Sequence, residues 1–574
     1  MASSKVLAWA TAVIAGLLAY YGLVLASTVS VKYVWLLAVS GAIGLYSKGV
    51  FGRIAHEKLL VRLRSSWGDS GGIDRNRNFT DIERFFRLVS VPNNHFVIDD
   101  RTWEDLNGGL VFAKIDRALT VYGQQYLYSV LRVPVFEQDE LKRRSRLIRF
   151  FQARPEVREQ VQTILAKIGH YDAPNAISFL IDPPQIESLR YGWLYTLLSC
   201  LAIAGILAWV IGLQLAAVAV VAVFVINLII HTVVHKKISG YFHLIRALRR
   251  MVHFCRKLAA VDAGGWKLAD RRIKEALTKT KAFMRHSSQV GLESVDPILG
   301  SLLEYVSILF LLDVRGFERA VAMIRKDRDA LLTMYGWIGE LDALQAVASF
   351  RESLPYYCEP VLKQGRESTE KLVGEEMYHP LLQDPVPNSL TVGNQGILIT
   401  GSNMSGKSTF LRTVGTNALF AQTIYTCLAQ AYRSQFVKLL TSIGRADNII
   451  EGKSYYLVEA QSILRVLKAI EAESSVTVMA IFDEMYRGTN SEERIKAGCR
   501  VLEYAAQPGT IILVATHDLE LTKMLEQGYA NYHFGEKVGG HGLEFDYTLK
   551  LGPSQTRNAI TLLKALGYPQ AITD

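Results

Sequence analysis

The sequence predicts a multidomain chain that combines two pairs of apolar helices, an all-α region and a C-terminal α/β domain. Three observations predict this fold class. Long segments without Asp, Glu, Lys or Arg occur near the N-terminus and again near residue 200. The regions after them have the periodicity of amphipathic helices, and from about residue 366 strand-like runs alternate with helices. The expected units are a first hairpin (1–50), a connector (51–93), a helical core (94–189), a second hairpin (190–234), a helical lever region (235–365) and the α/β domain (366–574).

Composition limits the class of protein to which the chain can belong. Half of the 574 residues are hydrophobic although 21% are charged, so the apolar excess must be concentrated in particular segments. The five cysteines lack C-x-x-C spacing, which argues against a disulfide framework or a zinc site and fits a reducing compartment. The net charge of +10 is compatible with nucleic acid or an anionic membrane as partner and does not distinguish them.

Four uncharged segments predict two transmembrane hairpins. The first is long enough to cross a bilayer, the second is more marginal, and the last two follow each other directly. Tyr191, Trp193 and Tyr195 have positions typical of interfacial aromatic residues. A cleaved signal peptide at the N-terminus and a buried core hairpin near residue 200 are the alternative interpretations. The segments are 6–26, 33–46, 191–212 and 213–230.

The basic residues that flank these segments predict their orientation. The turns within the hairpins hold only Lys32, whereas basic residues cluster at the other ends. Because basic residues stay on the cytoplasmic side, both termini and the region between the hairpins are expected to be cytoplasmic, in an integral protein of the bacterial plasma membrane. Without ionisable groups the segments resemble anchors more than transport paths. The flanking residues are Lys48, Arg53, Lys58, Arg62, Arg64, Arg190, Lys236 and Lys237.

The stretch GILITGSNMSGKSTFLRTVG contains the strongest motif. An apolar strand at 397–400 leads into Gly401-x-x-x-x-Gly406-Lys407-Ser408, and a helical pattern follows. Glycines let backbone N–H groups close around phosphates, while the helix N-terminus adds a favourable dipole. Lys407 is expected to reach the β- and γ-phosphates of ATP, and the Ser408 hydroxyl to bind Mg²⁺. The predicted nucleotide-binding residues here are Gly401, Ser402, Asn403, Met404, Ser405, Gly406, Lys407, Ser408 and Thr409.

Two later strands end in residues that suit ATP hydrolysis. VMAIFDE ends in Asp483, a candidate Mg²⁺ ligand, and Glu484, which is placed to polarise an attacking water. TIILVATHD places His517 where a neutral imidazole can hydrogen-bond the γ-phosphate or that water. The catalytic candidates are therefore Lys407, Glu484 and His517.

These motifs resemble those of the MutS family of ABC-type ATPases over roughly residues 366–570. TGSNMSGKSTFLR resembles the family's phosphate loop, DEMYRGT its Walker B segment and ATHD its switch histidine. Segments 98–134 and 341–360 resemble the opening of its core domain and the end of its lever helices. The resemblance implies a P-loop ATPase domain of the ABC/MutS type that uses ATP and Mg²⁺, with the two hairpins as additions.

The stretch EGKSYYLVE resembles the MutS version of the ABC signature loop, with Ser454 as its key residue. The resemblance implies that Ser454 faces the γ-phosphate bound by a second copy of the chain, so that it acts in trans. A hydroxyl there adds a hydrogen bond to charge that one protomer leaves exposed. Without the resemblance, this segment would be interpreted as a plain turn.

Two departures from the family pattern concern the nucleotide pocket and its surroundings. Pro385 stands where many members place an aromatic residue against the adenine, and Tyr547 is the candidate replacement. Tyr486 replaces a usual glycine after the Walker B segment. No phosphate or metal ligand is lost, so hydrolysis is expected. The family's mismatch-reading domain has no expected counterpart before the helical core near residue 94.

The sequence leaves three functions open. The favoured one is a membrane-anchored, homodimeric ATPase clamp that binds mismatched or branched DNA; the others are an ABC-like membrane remodelling or transport ATPase and a nucleotide-gated scaffold for an unidentified protein. The basic helix at 241–257 favours lipid headgroups or solvent over DNA phosphates. The resemblance, and not any base-reading motif, places DNA first.

Overall fold

Helices make up the first part of the structure and strands begin at residue 361, which confirms the predicted helical region followed by an α/β domain. In the helical part none of the described strands occurs before β1 (Val361–Lys363). The computed structural model describes residues 2–71, 77–89, 95–169, 174–184, 192–265, 268–290, 297–364, 369–402, 404–443, 455–472, 475–487, 489–539, 542–554 and 568–569.

The elements follow in chain order. The helices of the first part are α1 (Ala2–Thr28), α2 (Trp35–Ser66), α3 (Phe79–Ile82), α4 (Arg84–Leu88), α5 (Asp100–Asp105), α6 (Gly108–Ile115), α7 (Val121–Arg132), α8 (Gln138–Ala153), α9 (Pro155–Ile168), α10 (Ala176–Ile181), α11 (Gly192–Val210), α12 (Leu215–Ile238), α13 (Phe242–Ala259), α14 (Arg271–Lys279), α15 (Lys281–Ser287), α16 (Pro297–Phe310), α17 (Leu312–Lys326) and α18 (Arg328–Glu352). After β1 come β2 (Leu372–Met377), β3 (Asn388–Val392), β4 (Gly396–Thr400), α19 (Lys407–Ala421), β5 (Ala431–Gln435), β6 (Val437–Ile443), α20 (Tyr455–Glu471), β7 (Thr477–Asp483), α21 (Ser491–Ala505), β8 (Thr510–Thr516), α22 (Glu520–Met524), β9 (Tyr529–Gly539) and β10 (Gly542–Leu551).

The apolar segments form two helical hairpins. α1 packs along α2, where Ser40 donates a hydrogen bond to the carbonyl of Ala15 at 2.7 Å and Ser47 to that of Ala8 at 2.9 Å. α11 packs along α12 so closely that a Cβ on Gly205 would lie 2.7 Å from Val220. Small residues at such contacts are typical of helices that associate without a hydrophobic drive.

Among the described residues, three helical stretches are long and apolar enough to cross a membrane, judged by length and composition alone. They are Lys5–Thr28, Gly192–Val210 and the apolar part of Leu215–Ala259. The predicted segment 33–46 is not among them: α2 carries it directly into its charged half, which begins at Lys48. That the hairpins span a bilayer stays a prediction.

The helical core is organised around one buried carboxylate, that of Asp342 in α18. It accepts hydrogen bonds from the backbone N–H groups of Leu119 and Thr120, from the Thr120 hydroxyl at 2.6 Å and from Gln345. Burial raises the pKa of Asp342 to about 6, and these hydrogen bonds oppose that shift. Thr120 also caps the N-terminus of α7 by accepting from the N–H of Gly123 at 3.0 Å. The carboxylate thus fixes how α7 lies against α18.

Two sheets build the α/β domain. The larger has the order β10-β9-β4-β8-β7-β6, and all of its pairs are parallel except β10 with β9. The smaller has the order β1-β5-β2-β3. In the larger sheet β4, β7 and β8 are buried throughout, and their carboxyl ends meet at one edge. Loops at that edge of a parallel sheet are the usual place for a ligand.

Buried polar contacts join the helical part to the α/β domain. Asp105 accepts from the Thr441 hydroxyl at 2.8 Å and from the N–H of Ile443 at 2.9 Å, both at the end of β6. Arg412 of α19 donates to the carbonyl of Asp105 at 2.8 Å. Arg351, near the end of α18, donates to Thr426 and Tyr425. The helix that follows the phosphate-loop motif is therefore tied directly to the helical part.

We expect Gly123→Ala to destabilise the protein by more than about 2 kcal/mol, because a Cβ there would lie 2.2 Å from an oxygen of the hydrogen-bonded Asp342 carboxylate. Gly336→Ala in α18 is the matched control. A Cβ there meets nothing within 4 Å, so the higher helix propensity of alanine should leave stability equal or raise it by up to about 1 kcal/mol. The thermal midpoints of the two full-length variants check this, and equal midpoints would contradict it.

Candidate active site

The loop between β4 and α19 has the backbone that its glycines predict. Gly401 has φ of +149° and Gly406 φ of +107°, where a residue with a Cβ is strained. A Cβ on Gly401 would also lie 2.9 Å from the carbonyl oxygen of Phe534. Because α19 begins at Lys407, the positive end of its dipole lies at this loop, as anion binding requires.

The Lys407 ammonium is buried inside the loop. It donates to the carbonyls of Gly401 at 2.7 Å and Ser402 at 2.8 Å, and lies 3.9 Å from the Glu484 carboxylate. Burial lowers the pKa of Lys407, while the nearby Glu484 and Asp483 carboxylates oppose that shift. Among the described residues, the positive charge in the loop is compensated by two carbonyl dipoles and by the nearby carboxylates of Glu484 and Asp483.

The two predicted magnesium ligands lie together. Asp483 ends β7 and is hydrogen-bonded to Ser408, and burial raises the pKa of its carboxyl group. Its Oδ1 atom is buried and has no hydrogen-bond partner among the described residues. A carboxylate oxygen beside a hydroxyl fits Mg²⁺, which takes few protein ligands and keeps several waters.

Glu484 is held in a strained conformation beside the loop. Its φ is +49°, which is uncommon for a residue with a side chain and is often found at functional sites. Its N–H donates to the carbonyl of Ala515 at 2.8 Å, which fixes it against the end of β8. Its carboxylate is 6% exposed and forms ion pairs with Lys407 and Arg487. His517 Nδ1 lies 3.5 Å from the same carboxylate.

Arg494 of α21 positions the loop that carries His517. It pairs with both oxygens of Asp518, at 2.6 and 3.0 Å, and its Nη2 lies 3.4 Å from His517 Nε2. The His517 side chain is 43% exposed. The imidazole is therefore contacted by Arg494 and remains partly exposed to solvent.

Tyr486 occupies a position whose backbone suits glycine. Its φ is +61°, which explains why the resemblance leads one to expect glycine there. Its N–H donates to the Glu459 carboxylate at 2.6 Å, and burial raises the pKa of Glu459. Because Glu459 lies in the first turns of α20, the turn after Glu484 is joined to the helix that follows the Ser454 segment.

A cavity of about 710 Å³ opens beside these groups. The candidate adenine contact Tyr547 lines it and is held through its carbonyl by Asn388 at 2.9 Å. Pro385 is not among the lining residues, although its neighbours Asp384 and Val386 are. The lining also includes Met377, Tyr378, His379, Leu382, Asn388, Ser402, Met404, Ser405, Gly406, Lys407, Ser408, Thr409, Phe410, Thr413, Glu484, Arg487 and Phe534.

The structure thus brings most predicted residues to one edge of the sheet. Two of them, Asn403 and Ser454, lie outside the described residues, and their placement stays a prediction. Sequence reasoning missed Arg487, Arg494 and His379. Arg487 follows Glu484 by three residues, a spacing that could have suggested an ion pair, whereas nothing in the sequence connects Arg494 or His379 with the site.

Comparisons with known proteins agree with the motifs. The family model of MutS domain V matches residues 397–574. The DNA mismatch repair protein MutS of Thermus aquaticus is 31% identical over 198 residues, which is 34% of this chain and 24% of the relative. MutS of Streptococcus suis is 28% identical over 306 residues, 51% of this chain and 35% of the relative. MutS of Natronomonas pharaonis is 29% identical over 247 residues, 41% and 28% respectively. The chain spans about a third or less of the length of these relatives.

We expect the stability of the protein to fall with acidification partly through His379. Burial lowers the pKa of this imidazole to about 4, below the ordinary 6.5, and its Nε2 atom has no hydrogen-bond partner among the described residues. Between these pKa values the unfolded chain binds a proton that the folded chain excludes, so stability is full above pH ~6.5 and lost as pH falls toward ~4.

The test is His379→Gln. Thermal unfolding of the full chain should show that the variant loses about 2 kcal/mol less stability than the unsubstituted protein between about pH 7 and pH 5. The exposed His243 provides the control His243→Gln, which should follow the unsubstituted protein. Parallel pH profiles for His379→Gln and the unsubstituted protein would contradict the assignment.

Proposed function

We propose that this chain, which belongs to the MutS family, is a membrane-anchored, Mg²⁺-dependent ATPase that works as a dimer and closes on DNA. The observation that carries the ATPase assignment is the meeting of Lys407, Ser408 and Glu484 in one cavity at the carboxyl edge of the sheet, where Asp483 is hydrogen-bonded to Ser408. The resemblance of the sequence motifs to the MutS family implies an ATPase that works as a dimer, and the relatives that the chain matches are DNA mismatch repair proteins.

The residues divide the chemistry of phosphoryl transfer between them. Lys407 would bind the β- and γ-phosphates, and Ser408 and Asp483 would hold Mg²⁺, which would supply charge neutralisation at the phosphates. Glu484 accepts a proton from the attacking water, and His517 hydrogen-bonds that water or the γ-phosphate. Each group lies at the loop edge where such a nucleotide would bind.

The groups around Glu484 stabilise its carboxylate when no nucleotide is bound. Lys407, Arg487 and the His517 imidazole surround its carboxylate, which would otherwise be a buried, unpaired charge. A bound triphosphate offers Lys407 a stronger partner than the two loop carbonyls. Drawing Lys407 toward the phosphates would leave the Glu484 carboxylate free to contact the attacking water.

We infer that dimerisation completes this site. Ser454 of a second copy would contribute its hydroxyl to the γ-phosphate, on the open side where His517 is exposed. The hydrogen bond from the N–H of Tyr486 to Glu459 supports this, because it couples the Glu484 turn to the helix that follows Ser454. Binding of the partner's nucleotide is thereby connected to each protomer's own base.

DNA is the proposed ligand because the relatives that the chain resembles are DNA mismatch repair proteins. The helical part could transmit closure of the ATPase domains, since Asp105, Arg412 and Arg351 join it to both ends of α19. The basic helix α13 is less suited to reading DNA than its charge implies. Its Arg250 donates to the carbonyls of Lys167 and Ile168 at the end of α9 and therefore caps that helix.

Anchoring in a membrane is proposed from the two hairpins. Their outward residues include Trp193, Leu215 and Val218, each at least 68% exposed. Apolar surface of this extent is unfavourable in water and favourable in lipid. The flanking basic residues support a cytoplasmic position for the helical part and the ATPase domain.

Mixing two inactive variants tests whether the site is shared between copies. Ser454→Ala and Glu484→Gln should each hydrolyse ATP at least about 100-fold more slowly than the unsubstituted protein. In a mixed dimer, however, the Glu484 of one chain meets the intact Ser454 of the other. An equimolar mixture should therefore recover about a quarter of full activity, because half of the dimers are mixed and each has one complete site.

ATP turnover in detergent or nanodiscs is the measurement, and Glu526→Gln, an exposed acidic residue of the same domain, is the control that should keep full activity. A mixture as inactive as its components would show that Ser454 acts within its own chain or not at all. Full activity of Ser454→Ala would remove the dimeric mechanism while leaving the ATPase assignment intact.

Salt dependence tests DNA as the ligand. With ATP trapped by Glu484→Gln, branched or mismatched DNA should bind, and its affinity should fall by at least about 100-fold between ~50 and ~200 mM salt, because phosphate contacts release counterions. A gel-shift titration of the protein in nanodiscs provides the measurement, with empty nanodiscs as the control. Absence of any shift at the lowest salt would exclude DNA as the ligand.

A further inference from the structure

Two histidines at the end of α12 face a carboxylate on the first turn of α17. His231 and His235 are four residues apart and so lie on the same face of α12, with their rings 4.7 Å apart. His231 Nε2 is 3.9 Å from Asp313 Oδ2. One ring nitrogen of each histidine and one oxygen of Asp313 all lie within 4.8 Å of one another. The three side chains thus converge on one point.

Each of the two histidines has a buried ring nitrogen without a hydrogen-bond partner within the described part of the chain. His231 is 8% exposed and Asp313 7%, and His235 is half-buried. His231 Nε2 and His235 Nδ1 are buried and have no hydrogen-bond partner among the described residues. A buried polar atom left without a partner costs about 1–3 kcal/mol, so two of them beside a carboxylate indicate a missing ligand.

A neighbouring hydroxyl fixes the carboxylate. Ser307 donates to Asp313 Oδ2 at 2.7 Å, and the same hydroxyl accepts from the Asp313 N–H at 3.4 Å. Such outer partners orient a ligating carboxylate and are typical of metal sites. The donor atoms are therefore held in place before anything binds.

The cluster lies where the second hairpin is hydrogen-bonded to the lever region. Ser199 of α11 donates to the carbonyl of Phe310 at 2.8 Å, and Asn227 of α12 to that of Leu309 at 2.7 Å. Leu311, which follows Phe310, has φ of +47° and separates α16 from α17. Both helices of the hairpin thus hydrogen-bond to the end of α16, one turn from Asp313.

We infer that His231, His235 and Asp313 bind a divalent transition-metal ion, Zn²⁺ in the first place, with water as the fourth ligand. Two imidazoles and a carboxylate match the ligand preferences of Zn²⁺. Ligands at ~2.1 Å in a tetrahedron lie about 3.4 Å apart, so side-chain rotations that bring the donor atoms closer by about 1 Å complete the site. The ion joins α12 to α17 and so ties the second hairpin to the lever region. This site contains no cysteine, which is why cysteine spacing gave no sign of it.

Metal content of the full chain tests the inference. The protein is purified in nanodiscs without a histidine tag, stripped with a chelator, incubated with micromolar Zn²⁺, desalted and analysed by elemental mass spectrometry. We expect about one Zn²⁺ per unsubstituted chain, and much less than one for His235→Ala and for Asp313→Asn. Ser307→Ala should keep the ligands but weaken binding about 10-fold.

The exposed His243 on the neighbouring helix α13 provides the control His243→Ala, which should bind Zn²⁺ as the unsubstituted chain does. Full ATP turnover by each variant shows that it is folded, and a Co²⁺ titration read by visible absorption reports tetrahedral coordination independently of activity. Should an intact chain bind no Zn²⁺, or should one equivalent survive both His235→Ala and Asp313→Asn, the metal site is overturned. If either ligand variant fails to fold, His235→Gln, at a half-buried position, decides in its place.

Discussion

The structure depends on the burial of opposite charges at the carboxyl edge of one parallel sheet. Lys407 and Glu484 are each less than a tenth exposed, and neither could remain charged there without the other or a substitute. The loop carbonyls of Gly401 and Ser402 and the guanidinium of Arg487 complete the balance. Under the proposed function, a bound triphosphate with Mg²⁺ would change this balance of charges, so the site would act both as a catalyst and as a sensor of nucleotide.

The proposed nucleotide site is joined to the rest of the chain by polar contacts as well as by apolar packing. The Asp105 carboxylate accepts a hydrogen bond from the end of β6, and Arg412 of α19 donates to the Asp105 carbonyl. Arg351 donates to the turn beyond α19. On the far side, Asp342 locks α7 to α18. Buried, fully partnered hydrogen bonds rigidify the elements that they join, so these contacts fix the orientation of α19 relative to the helical part.

The same principle holds at the second hairpin, where Ser199 and Asn227 bond to the end of α16 and the His231–His235–Asp313 cluster lies beside them. The proposed metal ion would add a ligand bond to both sides of this junction. Polar contacts thus join the second hairpin to the lever region, as they join the helical part to the α/β domain.

The sequence by itself determined the elements that depend on local spacing: the phosphate loop with Gly401 and Gly406, the strand-end acids Asp483 and Glu484, and the apolar helices. Backbone chemistry and periodicity act over a few residues, so they can be recognised in one dimension. Only the tertiary structure decided that Arg494 and His379 join the site, and that Asp313 meets two histidines from a helix some eighty residues earlier. These contacts arise because folding places distant segments within hydrogen-bond distance, and no local pattern records which segments those are.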